Sequence, residues 1–260
     1  MVNGKYIRGY APVNGLKMYY EVHGEGKPLV LIHGGGSTIQ TTFGNILPLL
    51  AEKYKVIAVE LQAHGHTGDR NTPESFEQDA DDVAALLQYL KINKADFFGF
   101  SNGGNTAMQI GIRHPQLVNK LIIASAFYKR DGMVRGFFEG LENASLGDMP
   151  APYKTAFLKI NSDTNSLKTM FEKDRSRMLQ FKDWSDEDLF SIKAPALIIS
   201  ADHDVVIPQH AVEMAQKIPN AQLMILPGSH GSFIGEVATV KQGSKIAEFT
   251  VAAIEEFLDK

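Results

Sequence analysis

Two rhythms alternate along the chain. The first 23 residues read as short alternating segments, 5–12 and 16–23 (LKMYYEVH), joined by Asn14-Gly15, a dipeptide suited to a tight hairpin. From residue 28 the apolar runs become continuous: PLVLIH (28–33), KVIAVEL (55–61), DFFGF (96–100), KLIIASA (120–126), ALIIS (196–200) and QLMIL (222–226). Strands buried on both faces have this character, as in a parallel sheet covered by helices. Helical periodicity fills the intervals at 75–91, 102–113, 209–217 and 240–258. Ser75 ahead of an acidic first turn is a suitable helix start. The alternation predicts an α/β fold, a doubly wound, mostly parallel sheet with right-handed crossovers and the hairpin at one edge.

One interval breaks the rhythm. Residues 127–190 hold helical patches and no strand-like run, far more chain than a crossover needs. Ten of the chain's 24 aromatics fall in those 64 residues. The segment reads either as a small helical subdomain with its own core or as a cap whose aromatics line an apolar pocket. The two readings are compatible. The domain expectation is a core of 1–126 and 191–260 with an inserted cap, 127–190; Phe127, Phe137, Phe138 and Trp184 are the candidate pocket aromatics.

Composition narrows the class. With 260 residues, 44% hydrophobic and 22% charged, the chain can bury roughly three quarters of its unfolded surface without a disulfide or metal. It has no cysteine, which excludes a disulfide framework, a thiol nucleophile and a cysteine-ligated metal. A net charge of −4 gives no support for nucleic acid or anionic membrane as partner. MVNGKYIRGYAPVNG lacks the apolar run of a secretion signal, and no stretch is long and apolar enough to span a bilayer. The expected location is cytoplasmic.

The chemistry gathers where strands end. DFFGF runs into Ser101-Asn102-Gly103-Gly104, so that Gly99-Phe100-Ser101-Asn102-Gly103 forms G-x-S-x-G between a buried strand and a helix. Alone the pattern is weak; in that setting it describes a nucleophile elbow, a bent backbone that displays a hydroxyl above the sheet. Glycines two residues to either side let strand and helix pack closely. A neutral serine needs a base oriented by a carboxylate, and in this topology the order is serine, acid, histidine. The later strand ends carry Ala201-Asp202-His203-Asp204 and Gly228-Ser229-His230-Gly231. His230 is the candidate base. Asp204, deeper in its loop than Asp202, is the candidate acid; Asp202 suits a turn hydrogen bond near the strand end. His23 and His114 suit strand-end or surface positions, and His203 and His210 are expected to be exposed. The loop His33-Gly34-Gly35-Gly36-Ser37 supplies backbone N–H groups for an oxyanion. The expected donors are Asn102 and Gly35, with Gly34 and Gly36 as alternatives. No G-x-G-x-x-G or G-K-[ST] pattern supports a phosphate cradle instead.

Strand, HGGG loop, elbow, Asp204 and His230 in this order resemble the α/β-hydrolase fold over roughly residues 15–258. Residues 127–190 stand where that family inserts its helical cap. The stretch Glu60-Leu61-Gln62-Ala63-His64-Gly65-His66-Thr67 resembles the family's D-x-R-G-H-G-x-S loop and departs from it at Glu60, Gln62, Ala63 and Thr67. By that resemblance His64 is a packed structural histidine. The resemblance implies hydrolysis of a small-molecule ester-like substrate through an acyl-enzyme, with Ser101 as nucleophile, no cofactor and no metal. Ser101 separates the chain from the dehalogenase and epoxide-hydrolase branches, which place a carboxylate there. Esterases or lactonases, carbon–carbon hydrolases of meta-cleavage products, and cofactor-free haloperoxidase-like perhydrolases remain, as does a non-catalytic ligand receptor on the same scaffold. Arg130, Arg135, Arg175 and Arg177 are the cap cations available to an anionic substrate. Monomer and homodimer are equally compatible with the sequence.

Overall fold

The computed structural model describes residues 6–260. The start of the first expected strand, at residue 5, and the first five residues of the expected core lie outside the described residues. Strands β1 (Ile7–Val13) and β2 (Leu16–His23) form the hairpin, and Asn14 and Gly15 both take positive φ, 44° and 79°, as a two-residue turn requires. Strand β3 (Lys27–Ile32) leads through short helices α1 (Ile39–Phe43) and α2 (Leu47–Leu50) to β4 (Tyr54–Val59). Then follow α3 (Phe76–Tyr89), β5 (Ala95–Phe100), α4 (Asn102–Arg113) and β6 (Val118–Ala124). Helices α5 (Phe137–Asn143), α6 (Ala151–Ile160), α7 (Thr164–Leu179) and α8 (Asp186–Ser191) fill the long interval. Strand β7 (Ala196–His203), α9 (Pro208–Lys217), β8 (Ala221–Ser229) and α10 (Ile246–Asp259) complete the chain.

The eight strands form one sheet in the order β1-β2-β4-β3-β5-β6-β7-β8. Every pairing from β4 to β8 is parallel, while β1 and β2 are antiparallel and occupy one edge. The continuous apolar runs are explained by the two layers they separate. In β3, Val30 and Ile32 face the layer of α3, α4, α8 and α9, and Leu29 and Leu31 face the layer of α1, α2 and α10. Both faces are dry, so alternation disappears.

Helix α10 starts at Ile246 rather than near 240, because Gly243 at φ 76° interrupts the run. The helices of the long interval bury a small cluster of their own, Met149, Phe157, Leu167 and Met170, together with Ala63 of the core. The end of the interval joins the core layer instead: Phe181, Trp184 and Leu189 pack with Phe76 and the α4 side of the sheet. Among the described residues no helix is long and apolar enough to cross a membrane.

Candidate active site

Parallel strands of one sheet end on the same rim, and that rim carries the chemistry. Strand β5 passes into α4 through Ser101, whose backbone stands at φ 54°, ψ −122°, a region L-residues avoid. The neighbouring glycines are demanded by close approach. A Cβ on Gly99 would sit 1.9 Å from the Gly103 carbonyl oxygen, and one on Gly103 2.1 Å from that of Ile32. No side chain fits at either place, and the strand-to-helix bend depends on that.

The ends of β7 and β8 bring their loops to this hydroxyl. His230 Nε2 lies 3.1 Å from Ser101 Oγ, and His230 Nδ1 lies 2.6 Å from Asp204 Oδ1. An ionised Asp204 only accepts, so Nδ1 carries the ring proton and Nε2 accepts from the serine. The imidazole packs on Phe100, with ring centres 4.8 Å apart, and keeps a partly exposed edge. Asp204 is buried and saturated with donors: the N–H groups of Val205 (2.7 Å) and Ala201 (3.2 Å) and the Ser125 hydroxyl (2.5 Å). Burial works to raise its pKa, but the hydrogen bond and charge of His230 and the remaining donors outweigh it and hold the carboxyl below the ordinary range. Asp202 is exposed and accepts from Gly228 N–H of β8 at 2.7 Å, outside this line. Ser125 had no sequence signal except its place at a strand end; its positive φ (50°) turns it toward Asp204.

The glycine loop after β3 lies against the start of α4. Gly34 N–H donates to Thr42 Oγ1 at 3.4 Å and Gly36 N–H to Asp174 Oδ2 at 2.5 Å, leaving Gly35 as the residue whose N–H neither contact engages. Gly35, Asn102, Ser101 and His230 all line one cavity of about 320 Å³. Its walls are chiefly apolar, with Phe127, Met133, Phe137, Met149, Phe171 and Met178 among them, and Arg175 is the cation in the lining. Phe138 and Trp184 are corrections to the expected lining. Phe138 packs edge-to-face with Phe127 and Phe137 and lies under the Arg130 guanidinium, and Trp184 is buried against Phe76 and Phe181, so both are spent on joining the helical segment to the core. Arg177 is likewise unavailable to a substrate, since it is buried among Asp79, Asp174 and Glu74. His210 is a further correction: it is 2% exposed, accepting from Tyr128 N–H and stacked on that ring. His203 is exposed as expected.

His64 is fully buried, with Nδ1 2.7 Å from the Gln62 carbonyl and Nε2 2.9 Å from Asp174 Oδ2. Burial would lower its pKa, but the Asp174 charge and hydrogen bond reverse that and push it up to about 9. Among the described residues no cluster of His, Asp and Glu has the makings of a metal site.

A family model described as alpha/beta hydrolase fold matches residues 27–237. The chain belongs to that family. Within it, the human serine hydrolase BPHL is 30% identical over 234 residues, spanning 84% of this chain and 78% of its own length. Two solved structures share the fold. The enol-lactonase from Burkholderia xenovorans LB400 superposes with a TM-score of 0.76 at 22% identity, covering 96% of this chain and all of that one. A meta-cleavage product hydrolase from Pseudomonas fluorescens IP01 gives 0.77 at 24% identity, covering 98% of this chain and 97% of that one. This member of the alpha/beta hydrolase family therefore carries a hydrolase scaffold with serine, imidazole and carboxylate in line at the sheet rim.

Proposed function

We propose that the protein is a serine hydrolase of small-to-medium carboxylic esters or lactones, working through an acyl-enzyme. The observation that carries the reading is the unbroken contact from Ser101 Oγ through His230 to Asp204, opening on an apolar cavity of about 320 Å³. Ser101 Oγ attacks the carbonyl carbon while Nε2 of His230 takes its proton, and Asp204 stabilises the imidazolium that results. The oxygen that becomes anionic faces the N–H groups of Gly35 and Asn102. Collapse returns the proton from His230 to the leaving alcohol. A water deprotonated by the same imidazole then releases the acid. Residues 127–190 act as the cap that supplies the apolar walls.

The cavity's charge pattern favours esters over the dianionic substrates of carbon–carbon hydrolases. Of the cap arginines, Arg175 alone reaches the lining, and its guanidinium is already held by the carbonyls of Leu141 and Glu142. The deciding experiment runs p-nitrophenyl esters of increasing acyl length beside one dienoic diketone, for the wild type and Ser101→Ala. Continuous nitrophenol release, fastest for short and medium chains and reduced below a few per cent in Ser101→Ala, is expected. Faster consumption of the diketone would move the protein to the carbon–carbon branch, and a single burst without turnover would make it a receptor.

A further inference from the structure

Behind the glycine loop lies a buried charged cluster that the reaction as written does not use. Helix α7 has a buried face of Leu167, Met170, Asp174, Arg177 and Met178, so two charged residues occupy positions that its period assigns to the interior. Asp174 borders both components of the proposed anion hole. Its Oδ2 accepts from Gly36 N–H, next to Gly35, and its Oδ1 accepts from the Asn102 side-chain amide at 3.2 Å. That amide in turn sits against Gly35, where a Cβ would meet it at 2.4 Å.

A carboxylate in this place creates a problem, because an oxyanion forming beside Gly35 would be repelled by it. The cluster answers with two cations. Arg177 pairs with Asp174 and, at 2.6 Å, with Asp79. His64 is the second. Both its nitrogens face atoms that only accept, the Gln62 carbonyl and the Asp174 carboxylate, so both must carry a proton and the ring is an imidazolium. Its neighbour His33, 4.8 Å away, is the opposite case: Nε2 accepts from Leu61 N–H at 3.1 Å, which only a neutral ring can do.

We infer that Asp174 is a positioning residue for the anion hole, fixing the Gly35 loop and Asn102 from helix α7, with His64 held as an imidazolium to cancel its charge. This rests on the serine hydrolase reading above. The groups facing His64 are Asp174 from α7, with Arg177 paired to it, Glu74 just before α3, Asp79 in its first turn, and His33 just past β3. Burial raises Glu74 to about 8, against the pull of Arg177, and Asp79 to about 6. Near neutral pH the two cations therefore balance Asp79 and Asp174. Above pH 8–9 Glu74 and His64 lose their protons and the cluster turns negative beneath the hole. Turnover should fall along that limb.

The test is Asp174→Asn, which keeps the shape and puts an amide where four donors converge. Against p-nitrophenyl acetate kcat should fall about 10- to 100-fold with KM within about threefold, because hole geometry acts on the transition state rather than on the bound substrate. The inhibition constant of a phenylboronic acid, whose serine adduct is a tetrahedral anion, should rise in parallel. The alkaline limb should move to lower pH, since His64 loses its counter-ion. Unchanged kcat, or a rise in KM that accounts for the whole loss with boronate binding intact, would overturn the inference. Should Asp174→Asn fail to fold, the imidazole ¹⁵N shifts of His64 in the wild type decide: a neutral ring at pH 7.5 refutes it, and two protonated nitrogens support it. Ser101→Ala separates the two levels. Turnover surviving that change would bring down the hydrolase reading and this inference together, whereas turnover lost in Ser101→Ala but kept in Asp174→Asn would remove only the inference.

Discussion

The backbone at Ser101 makes a stability prediction of unusual sign. At φ 54°, ψ −122° the residue occupies a region that glycine enters freely and other residues enter at about 1–3 kcal/mol. Ser101→Ala and Ser101→Gly both delete the hydroxyl and its 3.1 Å contact with His230 Nε2, so that loss cancels when the two variants are compared. What remains is the strain, relieved only in the glycine variant, against the greater freedom glycine regains on unfolding, roughly 0.5–1 kcal/mol. The difference favours Ser101→Gly by about 1 kcal/mol, where an alanine-to-glycine change at an ordinary helix start would lower stability. In a domain of this size about 1 kcal/mol corresponds to a Tm difference of roughly 2–4 °C. Thermal and urea unfolding of the paired variants measure it, and neither should turn over an ester. A glycine variant that melts at or below the alanine variant would show that the strain at the bend is no larger than the roughly 0.5–1 kcal/mol of freedom glycine regains on unfolding.

Two further outcomes follow from named contacts. Asp204→Asn should lower kcat by about 10⁴-fold with the fold retained, as for the acid of other such triads. Every hydrogen-bond partner of Asp204 among the described residues is a donor (His230 Nδ1, the N–H groups of Ala201, Val205 and Val206, and the hydroxyls of Ser125 and Ser200), so an amide NH₂ there turns the imidazole to the wrong tautomer; if Asp202→Asn produced the loss instead, the acid would be misassigned. Stability should decline as pH rises from about 6.5 to about 9. His64, whose folded pKa lies above its ordinary value, contributes fully below about 6.5 and loses that contribution through about 9. Glu74, raised by burial to about 8, acts with the same sign because the folded chain keeps a proton that the unfolded chain has released, whereas Asp79, raised to about 6, has lost its contribution before this range begins. A urea midpoint that rises over this range would contradict the protonated His64.

The sheet was legible because its physics is local. Burial on both faces writes an unbroken apolar run, and β3 to β7 each carry one; β8 carries one too, although as the edge strand it leaves Leu223 and Ile225 exposed, and the Asn14-Gly15 turn marks the hairpin clearly. Ser101 and its glycines were legible for the same reason, since so tight a strand-to-helix bend needs its small residues within two positions of the residue it displays. The choice of Asp204 over Asp202 was finer. Asp202 falls inside β7, on an exposed stretch of the strand where its carboxylate reaches the neighbouring strand end and the adjacent His203. Asp204 lies one residue past the strand, where the chain has turned inward.

The inserted helical segment was legible as a composition and not as an arrangement. Aromatic enrichment over 127–190 identifies a segment that must bury rings somewhere, but a ring against the core and a ring against a substrate have the same sequence signature. Phe127 and Phe137 face the cavity, while Phe138 and Trp184 fasten the segment down. The segment's hydrogen bonds with Gly36 and Asn102 are accepted by a carboxylate, Asp174, and not by a ring. Asp174 stands 110 residues from His64 and 138 from Gly36, and no local rule connects them. The available signal was negative: at Asp174 and Arg177 the apolar period of α7 fails twice, three residues apart, on its buried face. Buried charge is tolerated only where partners neutralise it. A helix that places a carboxylate and a guanidinium inward therefore implies counter-charges waiting in the partner surface, and His64, in a loop whose resemblance suggested mere packing, is one of them.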